Sequence, residues 1–220
     1  MQRIPEPELM NEAEQALAYA QADFTQPHQY FITRFQETFP AHEVNGRVLD
    51  LGCGPADITL RFARAYPDTI IDGVDGAEAM LALGRKAIAA AGQQQRIQLS
   101  RCYLPIDAPP QTQYDAIISN SLLHHLQQPQ VLWQSVKQYA APGAPVFIMD
   151  LLRPESKAQA QELVQLYAAE EAEILRYDFY HSLLAAYSVE EVRQQLLKAE
   201  LMQLNIEIAS DRHFTVSGLL

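Results

Sequence analysis

Cysteine is scarce in this chain, with 2 residues in 220, Cys53 and Cys102. So low a count at that separation excludes a disulfide-built scaffold and offers no zinc-ligand spacing, so no metal site and no disulfide are expected. Cations are also under-represented: Lys and Arg total 16 against 27 Asp and Glu, a net charge of −11. A surface of that sign repels phosphate backbones, and no basic stripe interleaved with aromatics appears, which disfavours nucleic acid as a partner. No apolar run approaches the ~20 residues needed to cross a bilayer. The opening Met1-Gln2-Arg3-Ile4-Pro5-Glu6 lacks a signal-peptide core, so no membrane partner and a cytoplasmic location are the expectation. Repeats and low-complexity tracts are missing too. What remains is an ordinary globular composition, 48% hydrophobic, long enough for one domain with a sizeable core.

Glycine is sparse as well, at 9 residues, yet two fall within three positions of each other. They lie in Val48-Leu49-Asp50-Leu51-Gly52-Cys53-Gly54-Pro55-Ala56-Asp57. The apolar run from Arg47 to Leu51 is too short for a helix and reads as a buried strand. The glycines permit a sharp turn and close approach of backbone to a ligand. Pro55 suits the first turn of the amphipathic helix that follows from Ile58. Strand, glycine turn and helix N-terminus together make a nucleotide cradle.

The spacing narrows which nucleotide. Dinucleotide sites want G-x-G-x-x-G, and here Asp57 takes the third glycine's place, while Asp50 stands two residues before the first. Carboxylates at a helix N-terminus repel a pyrophosphate and suit a ligand carrying an ammonium group. A second strand, Thr69 to Val74, ends on Asp75, placed to accept from both hydroxyls of a ribose.

These residues resemble the class I S-adenosylmethionine-dependent methyltransferases. Leu49 to Gly54 is similar to that family's first motif and Gly73-Val74-Asp75-Gly76-Ala77-Glu78-Ala79-Met80-Leu81 to the segment after it. Tyr114 to Leu126, containing Ser119-Asn120-Ser121-Leu122-Leu123-His124-His125, is similar to the fourth-strand signature, and Phe147 to Pro154 to the fifth. Four motifs in order, over residues 44–220, carry the resemblance. It implies S-adenosyl-L-methionine as cofactor, held by backbone around Gly52, Cys53 and Gly54, with Asp50 near the ammonium group, Asp75 and Gly76 at the ribose and Met80 near the adenine. Ser119 and Asn120 stand at the carboxyl end of the fourth strand, on the cofactor side. In one respect the chain departs from the family: many members carry an acid after the third strand, whereas here none occurs before Asp107. Ser100, Arg101 and Cys102, through side chain or backbone, are left to hold the adenine.

The rest of the chain alternates strands with helices. The fold expected is α/β: a Rossmann-like, doubly wound, seven-stranded and mostly parallel sheet with an antiparallel C-terminal strand and a helical lid. Helices are read at 12–22, 27–39, 77–91 and 130–140. Strands are read at 96–101, 114–119 and 144–151, and a closing hairpin at 202–210 and 212–217. Ser188-Val189-Glu190-Glu191 is a capping signature opening a helix to Ala199. One domain is expected, with a helical cap at 1–43, the cofactor core at 44–152, a lid insertion at 153–187 and a closing helix and hairpin at 188–220. Phe31, Phe35 and Phe39, spaced i, i+4, i+8, form a stripe that reads as core. The polar-tipped cluster of Tyr19, Asp23, Phe24 and Tyr30 reads instead as a cover for the methionine portion.

Methyl transfer from a sulfonium is an in-line displacement in which the cofactor carries the reactive group and the protein aligns the acceptor. Ligands in such sheets sit beyond the strands' carboxyl ends, where Asp50, Asp75, Ser119, Asn120, Asp150 and Arg153 fall. A base is needed only for a protonated acceptor. His181 is the candidate, three residues after Asp178 and beside Tyr180, and Arg153 is a candidate clamp for a substrate carboxylate. His124 and His125 are neighbours in sequence and read as a poor metal pair; the resemblance implies a largely structural role there, with one ring packed under the cofactor, and His213 reads as packing. The expectation is methyl transfer to a small-molecule acceptor by a monomer or homodimer. Two alternatives stay open: a non-catalytic S-adenosylmethionine sensor or inactive partner subunit, and a nicotinamide-dependent oxidoreductase, which the missing third glycine argues against.

Overall fold

A computed structural model describes residues 1–7 and 9–220. Among them are seven strands in one sheet of order β3-β2-β1-β4-β5-β7-β6. Strands β1 (Gly46–Leu51), β2 (Thr69–Asp75), β3 (Ile97–Arg101), β4 (Ala116–Asn120) and β5 (Pro145–Leu151) run parallel. β7 (His213–Leu219) pairs antiparallel with β5, and β6 (Asn205–Ile208) with β7. This is the doubly wound sheet expected, with the antiparallel element at its C-terminal edge.

The parallel strands are near-continuous apolar runs because both faces are covered. Successive residues of β1 go to opposite layers. Val48 joins Phe31, Phe35, Phe62, Leu81 and Phe147 on one side, and Leu49 joins Trp133, Val136, Leu196 and Phe214 on the other. The first layer holds α2 (Thr25–Thr38), α3 (Asp57–Ala65) and α4 (Glu78–Ala90). The aromatic stripe of α2 is core, as expected: Phe35 meets Phe62 edge-on at 5.0 Å and Phe31 meets Phe147 at 5.0 Å. Such pairs contribute about 0.5–1.5 kcal/mol beyond their burial. The second layer holds α5 (Gln130–Tyr139) and α8 (Val189–Ala199), tied where Trp133 Nε1 donates to Gln195 Oε1 at 2.9 Å. The capping box at Ser188 and Glu191 forms as its sequence predicts.

Boundaries differ where turns override pattern. Pro55 is not the first helical residue: α3 starts at Asp57, because Ala56 takes a left-handed conformation, φ +68°, between them. β4 starts at Ala116, Tyr114 making only an isolated bridge to Ala140. The strand read at 202–210 shrinks to four residues, since Leu201 to Leu204 form a turn.

Above the strands' carboxyl ends lie α1 (Ala13–Gln21), α6 (Lys157–Tyr167) and α7 (Glu173–Ala185). The N-terminal strap is fastened beside them. Arg3 donates to the carbonyls of Ala185 (2.6 Å), His124 (2.8 Å) and Leu126 (3.2 Å), stacks on Tyr187, and Ile4 N–H donates to Leu184. No helix among the described residues is long and apolar enough to cross a membrane.

Candidate cofactor and active site

Strand order reverses between β1 and β4, and there the sheet opens into a cavity of about 380 Å³. A crevice at that switch point is where such sheets bind ligands. Its floor is the glycine turn. Gly52 and Cys53 donate their N–H groups to Val74 O at 2.8 and 3.1 Å, locking the turn to the end of β2. Gly52 has φ +73°, and a Cβ there would stand 2.9 Å from Leu122. Gly54 has φ +50°, and a Cβ there would meet nothing within 4 Å, so bare backbone faces the cavity. Ala56, with φ +68° and no glycine's freedom, stores about 1–3 kcal/mol of strain of the kind that gathers at ligand sites.

Two carboxylates flank this cradle. Asp50, 1% exposed, accepts from Thr59 Oγ1 at 2.6 Å. Burial pushes its pKa up to about 7, against the Thr59 hydrogen bond and with the help of the Asp75 charge. Asp75 accepts from Gly54 N–H (2.9 Å) and Ala77 N–H (2.8 Å), so it also holds the turn and the start of α4. Burial raises its pKa, and these two bonds oppose the rise. Asp57 is different. It binds His28 Nδ1 and Arg61 Nε, both at 2.7 Å, and although burial raises its pKa these partners bring it below the usual carboxylate range. The third acid of the motif is thereby neutralised locally, leaving Asp50 and Asp75 to face a ligand.

Of the other residues assigned to the cofactor, Tyr19, Gly76, Met80, Cys102 and Asn120 line the cavity. So do Asp23 and Phe24, with Tyr19 and Phe24 ring to ring at 4.7 Å. Asn120 donates to Ser121 Oγ at 3.1 Å, and its buried Oδ1 has no partner. Ser119 does not reach the cavity: it is buried and donates to Leu51 O at 2.6 Å. Ser100 and Arg101 stay in β3, and the wall beyond that strand is built by Cys102, Tyr103 and Leu104. Tyr30 turns away to donate to Ala209 O at 2.7 Å. Cys53 and Cys102 are free and buried thiols.

None of the three catalytic candidates lines the cavity. His181 is on the outer face of α7, its Nδ1 bonded to Tyr177 O at 2.8 Å and its ring stacked on Tyr177 at 3.9 Å, not oriented by Asp178. Asp178 does line the cavity and instead accepts from Gln15 Nε2 at 3.0 Å. Tyr180 lines a separate outer hollow with Tyr177 and Val164. Arg153 pairs with Glu191 at 2.7 Å beneath α8. The spacing of Asp178 and His181 placed them on one turn, but which flank of α7 faces inward is set by packing. His181→Ala is accordingly expected to leave turnover within about twofold of wild type in a steady-state assay, where a general base would cost about 100-fold.

A buried polar system that the sequence did not reveal lies on the cavity wall instead. Asp150, 1% exposed, accepts from Leu123 N–H, Leu151 N–H and His124 Nδ1, at 2.7, 2.7 and 2.6 Å. Burial pulls the His124 pKa down, but the charge and hydrogen bond of Asp150 outweigh it and the net shift is upward. Burial likewise raises Asp150, and His124 with the two N–H groups brings it below its ordinary value. His124 and His125 occupy the short 3₁₀ turn Leu123–His125, rings 4.3 Å apart, and both line the cavity. Glu6, from the strap, comes within 3.2 Å of His125 Nδ1 and 3.6 Å of His124 Nε2. The Asp150 partnership depends on β4 and β5 being neighbours, and no local pattern marks Glu6.

Comparison with known proteins agrees with this architecture. A family model described as a methyltransferase domain matches residues 24–202. Among curated proteins the chain is similar to trans-aconitate 2-methyltransferase of Variovorax paradoxus, 30% identical over 149 residues, 66% of this chain and 51% of that protein. It is similar to the same-named enzyme of Delftia acidovorans, 28% identical over 146 residues, 63% of this chain and 52% of that protein. The chain thus spans about half the length of these curated relatives. In fold it is similar to a SAM-dependent methyltransferase from Aquifex aeolicus, with a TM-score of 0.65 at 17% identity, covering 93% of this chain and 97% of that one. The plantazolicin methyltransferase BpumL, solved with SAH and a pentazolic desmethylPZN analog, gives a TM-score of 0.65 at 16% identity over 89% of this chain and 72% of that one. With the family model spanning most of the chain and the doubly wound sheet in place, this protein belongs to the methyltransferase-domain family, of the class I S-adenosylmethionine-dependent type.

Proposed function

We propose that this chain transfers a methyl group from S-adenosyl-L-methionine to a small-molecule acceptor. The observation that carries the reading is the cradle itself. Bare backbone at Gly54 is flanked by two carboxylates, one titrating at about 7, and lies beside the buried, unpartnered Asn120 Oδ1. These groups fit a cationic amino-acid nucleoside: acceptors for its ammonium and ribose donors, and no repulsion-free place for a pyrophosphate. In this reading Asp50 meets the ammonium and Asp75 the ribose, while Met80 and Cys102 flank the adenine and Tyr19 with Phe24 covers the methionine portion.

The cofactor, when bound, supplies the electrophilic methyl group. The chain's own work is to hold an acceptor lone pair in line and keep water out. Residues 44–152 serve the cofactor in this reading, 1–43 and 153–187 close over the acceptor, and 188–220 complete the sheet. Among the described residues six lining carboxylates (Asp23, Asp50, Asp57, Asp75, Glu171, Asp178) stand against one guanidinium, Arg212, which is itself paired with Asp211. A neutral or cationic acceptor fits that balance better than a polyanion.

Incubation with S-adenosylmethionine and fractionated metabolites, with S-adenosylhomocysteine as the readout, tests the proposal. Saturable binding with no turnover on any fraction would instead favour the sensor. A pH signature is also expected. An ammonium ligand prefers ionised Asp50, whose raised pKa means that the carboxyl is increasingly protonated below about 7. Cofactor affinity should therefore fall as pH drops from about 7 to 5.5, approaching tenfold per unit at the acid end. Calorimetry at both ends, with Asp50→Asn abolishing the slope, is the check.

A further inference from the structure

We infer that Glu6, His124 and His125 form a binding site for a divalent transition-metal ion, which fastens the N-terminal strap to the turn after β4. The inference is independent of the methyl-transfer reading. One ligand atom from each residue lies within 4.8 Å of the others. The separations of Glu6 Oε1 from His125 Nδ1 (3.2 Å) and His124 Nε2 (3.6 Å) are those of neighbouring ligands around one ion. Two donors each about 2.0–2.1 Å from a tetrahedral zinc stand about 3.3–3.4 Å apart.

The hydrogen-bond pattern supports the same conclusion. His124 Nδ1 is bonded to Asp150 Oδ1 at 2.6 Å, which leaves Nε2 as the ring nitrogen that faces Glu6. A carboxylate behind an imidazole in this way fixes the tautomer and raises the basicity of metal-binding histidines. His125 Nδ1 is buried and has no hydrogen-bond partner. Glu6 Oε1 is also buried and unpartnered, while its other oxygen accepts from Ser182 Oγ at 3.2 Å. One carboxylate oxygen and two ring nitrogens thus lie together, two of them buried without a hydrogen-bond partner. Buried acceptors left this way cost about 1–3 kcal/mol each unless a cation satisfies them.

Two imidazoles and one carboxylate suit Zn²⁺, Fe²⁺ or Co²⁺ rather than Mg²⁺ or Ca²⁺, which favour all-oxygen sets. Adjacent histidines converge here because the 3₁₀ turn presents both rings to the cavity side, one through Nε2 and the other through Nδ1. Reading them as a poor pair rested on α-helical geometry, which this turn does not have.

The chelator-treated 220-residue chain, without S-adenosylmethionine, should bind one Co²⁺ per chain with visible ligand-field absorption, displaced by Zn²⁺. Glu6→Gln and His125→Ala should each weaken Co²⁺ binding at least about tenfold, and His42→Ala should not. Metal should also raise the Tm of wild type but not of Glu6→Gln. Absence of saturable Co²⁺ binding by the wild-type chain would overturn the site, leaving a Glu6–His124 ion pair as the whole interaction. Binding that survives both substitutions would overturn it equally. The wild-type titration decides the matter even if a variant folds poorly, and S-adenosylmethionine calorimetry scores the other reading separately.

Discussion

Asp75→Ala should weaken S-adenosylmethionine binding by about 1–3 kcal/mol, roughly 5- to 150-fold in Kd by calorimetry, from the unpaired ribose hydroxyls alone. The structure moves the expected value toward the upper end. The two oxygens of Asp75 hold Gly54 N–H and Ala77 N–H, so the substitution also loosens the glycine turn and the entry to α4. A small drop in Tm should accompany the lost affinity. Asp75→Asn, which keeps an acceptor for one N–H, should recover part of the stability and less of the binding. Unchanged affinity in both variants would remove Asp75 from the ribose role.

The largest effect on stability is expected at Asp150. Replacing it with alanine strips the acceptor from Leu123 N–H, Leu151 N–H and His124 Nδ1 at once, all inside the protein. Breaking a buried pair in this way costs about 3–5 kcal/mol, readable by urea denaturation. The pH dependence has a definite sign. Asp150 has a folded pKa below its ordinary 3.8, so its contribution is present above 3.8 and fades as pH falls through the lowered value. His124 has a folded pKa above 6.5, so its contribution is full below 6.5 and fades as pH rises through the raised value. The stability gap between wild type and Asp150→Ala should therefore be widest between about pH 4 and 6.5 and narrow on the alkaline side. A gap that does not narrow on the alkaline side of that range would mean that the pair is not charged in the folded protein.

Both residues show what the chain's order of residues reveals and what it hides. Asp75 was legible because its partners are local: it ends a strand one β–α unit after a glycine turn, and the turn is read from ten consecutive residues. The core stripe Phe31, Phe35, Phe39 was legible for a similar reason, a helical period with one apolar face. Asp150 and His124 are each visible at strand ends, but their 2.6 Å bond spans 26 positions and exists only because β5 lies beside β4. His181 shows the converse. Its spacing from Asp178 is right for one helical face, yet α7 turns Asp178 inward and leaves the imidazole on Tyr177. That helix has little apolar asymmetry, so its rotation is decided by the neighbours it packs against. Ser119 and Arg153 lie off the cavity for the same reason, each bonded to a distant partner, Leu51 O and Glu191.

Local order determined the strand–turn–helix cradle, the alternating α/β pattern and the two acids that flank the glycine turn, since each is a matter of backbone conformation and short spacing. Tertiary structure alone decided which helical faces line the cavity, which acid is neutralised by His28 and Arg61, and how Glu6 meets two histidines over a hundred positions away. Those outcomes depend on burial and on contacts between distant segments, where desolvation sets both the charge state of a group and the partner it must find.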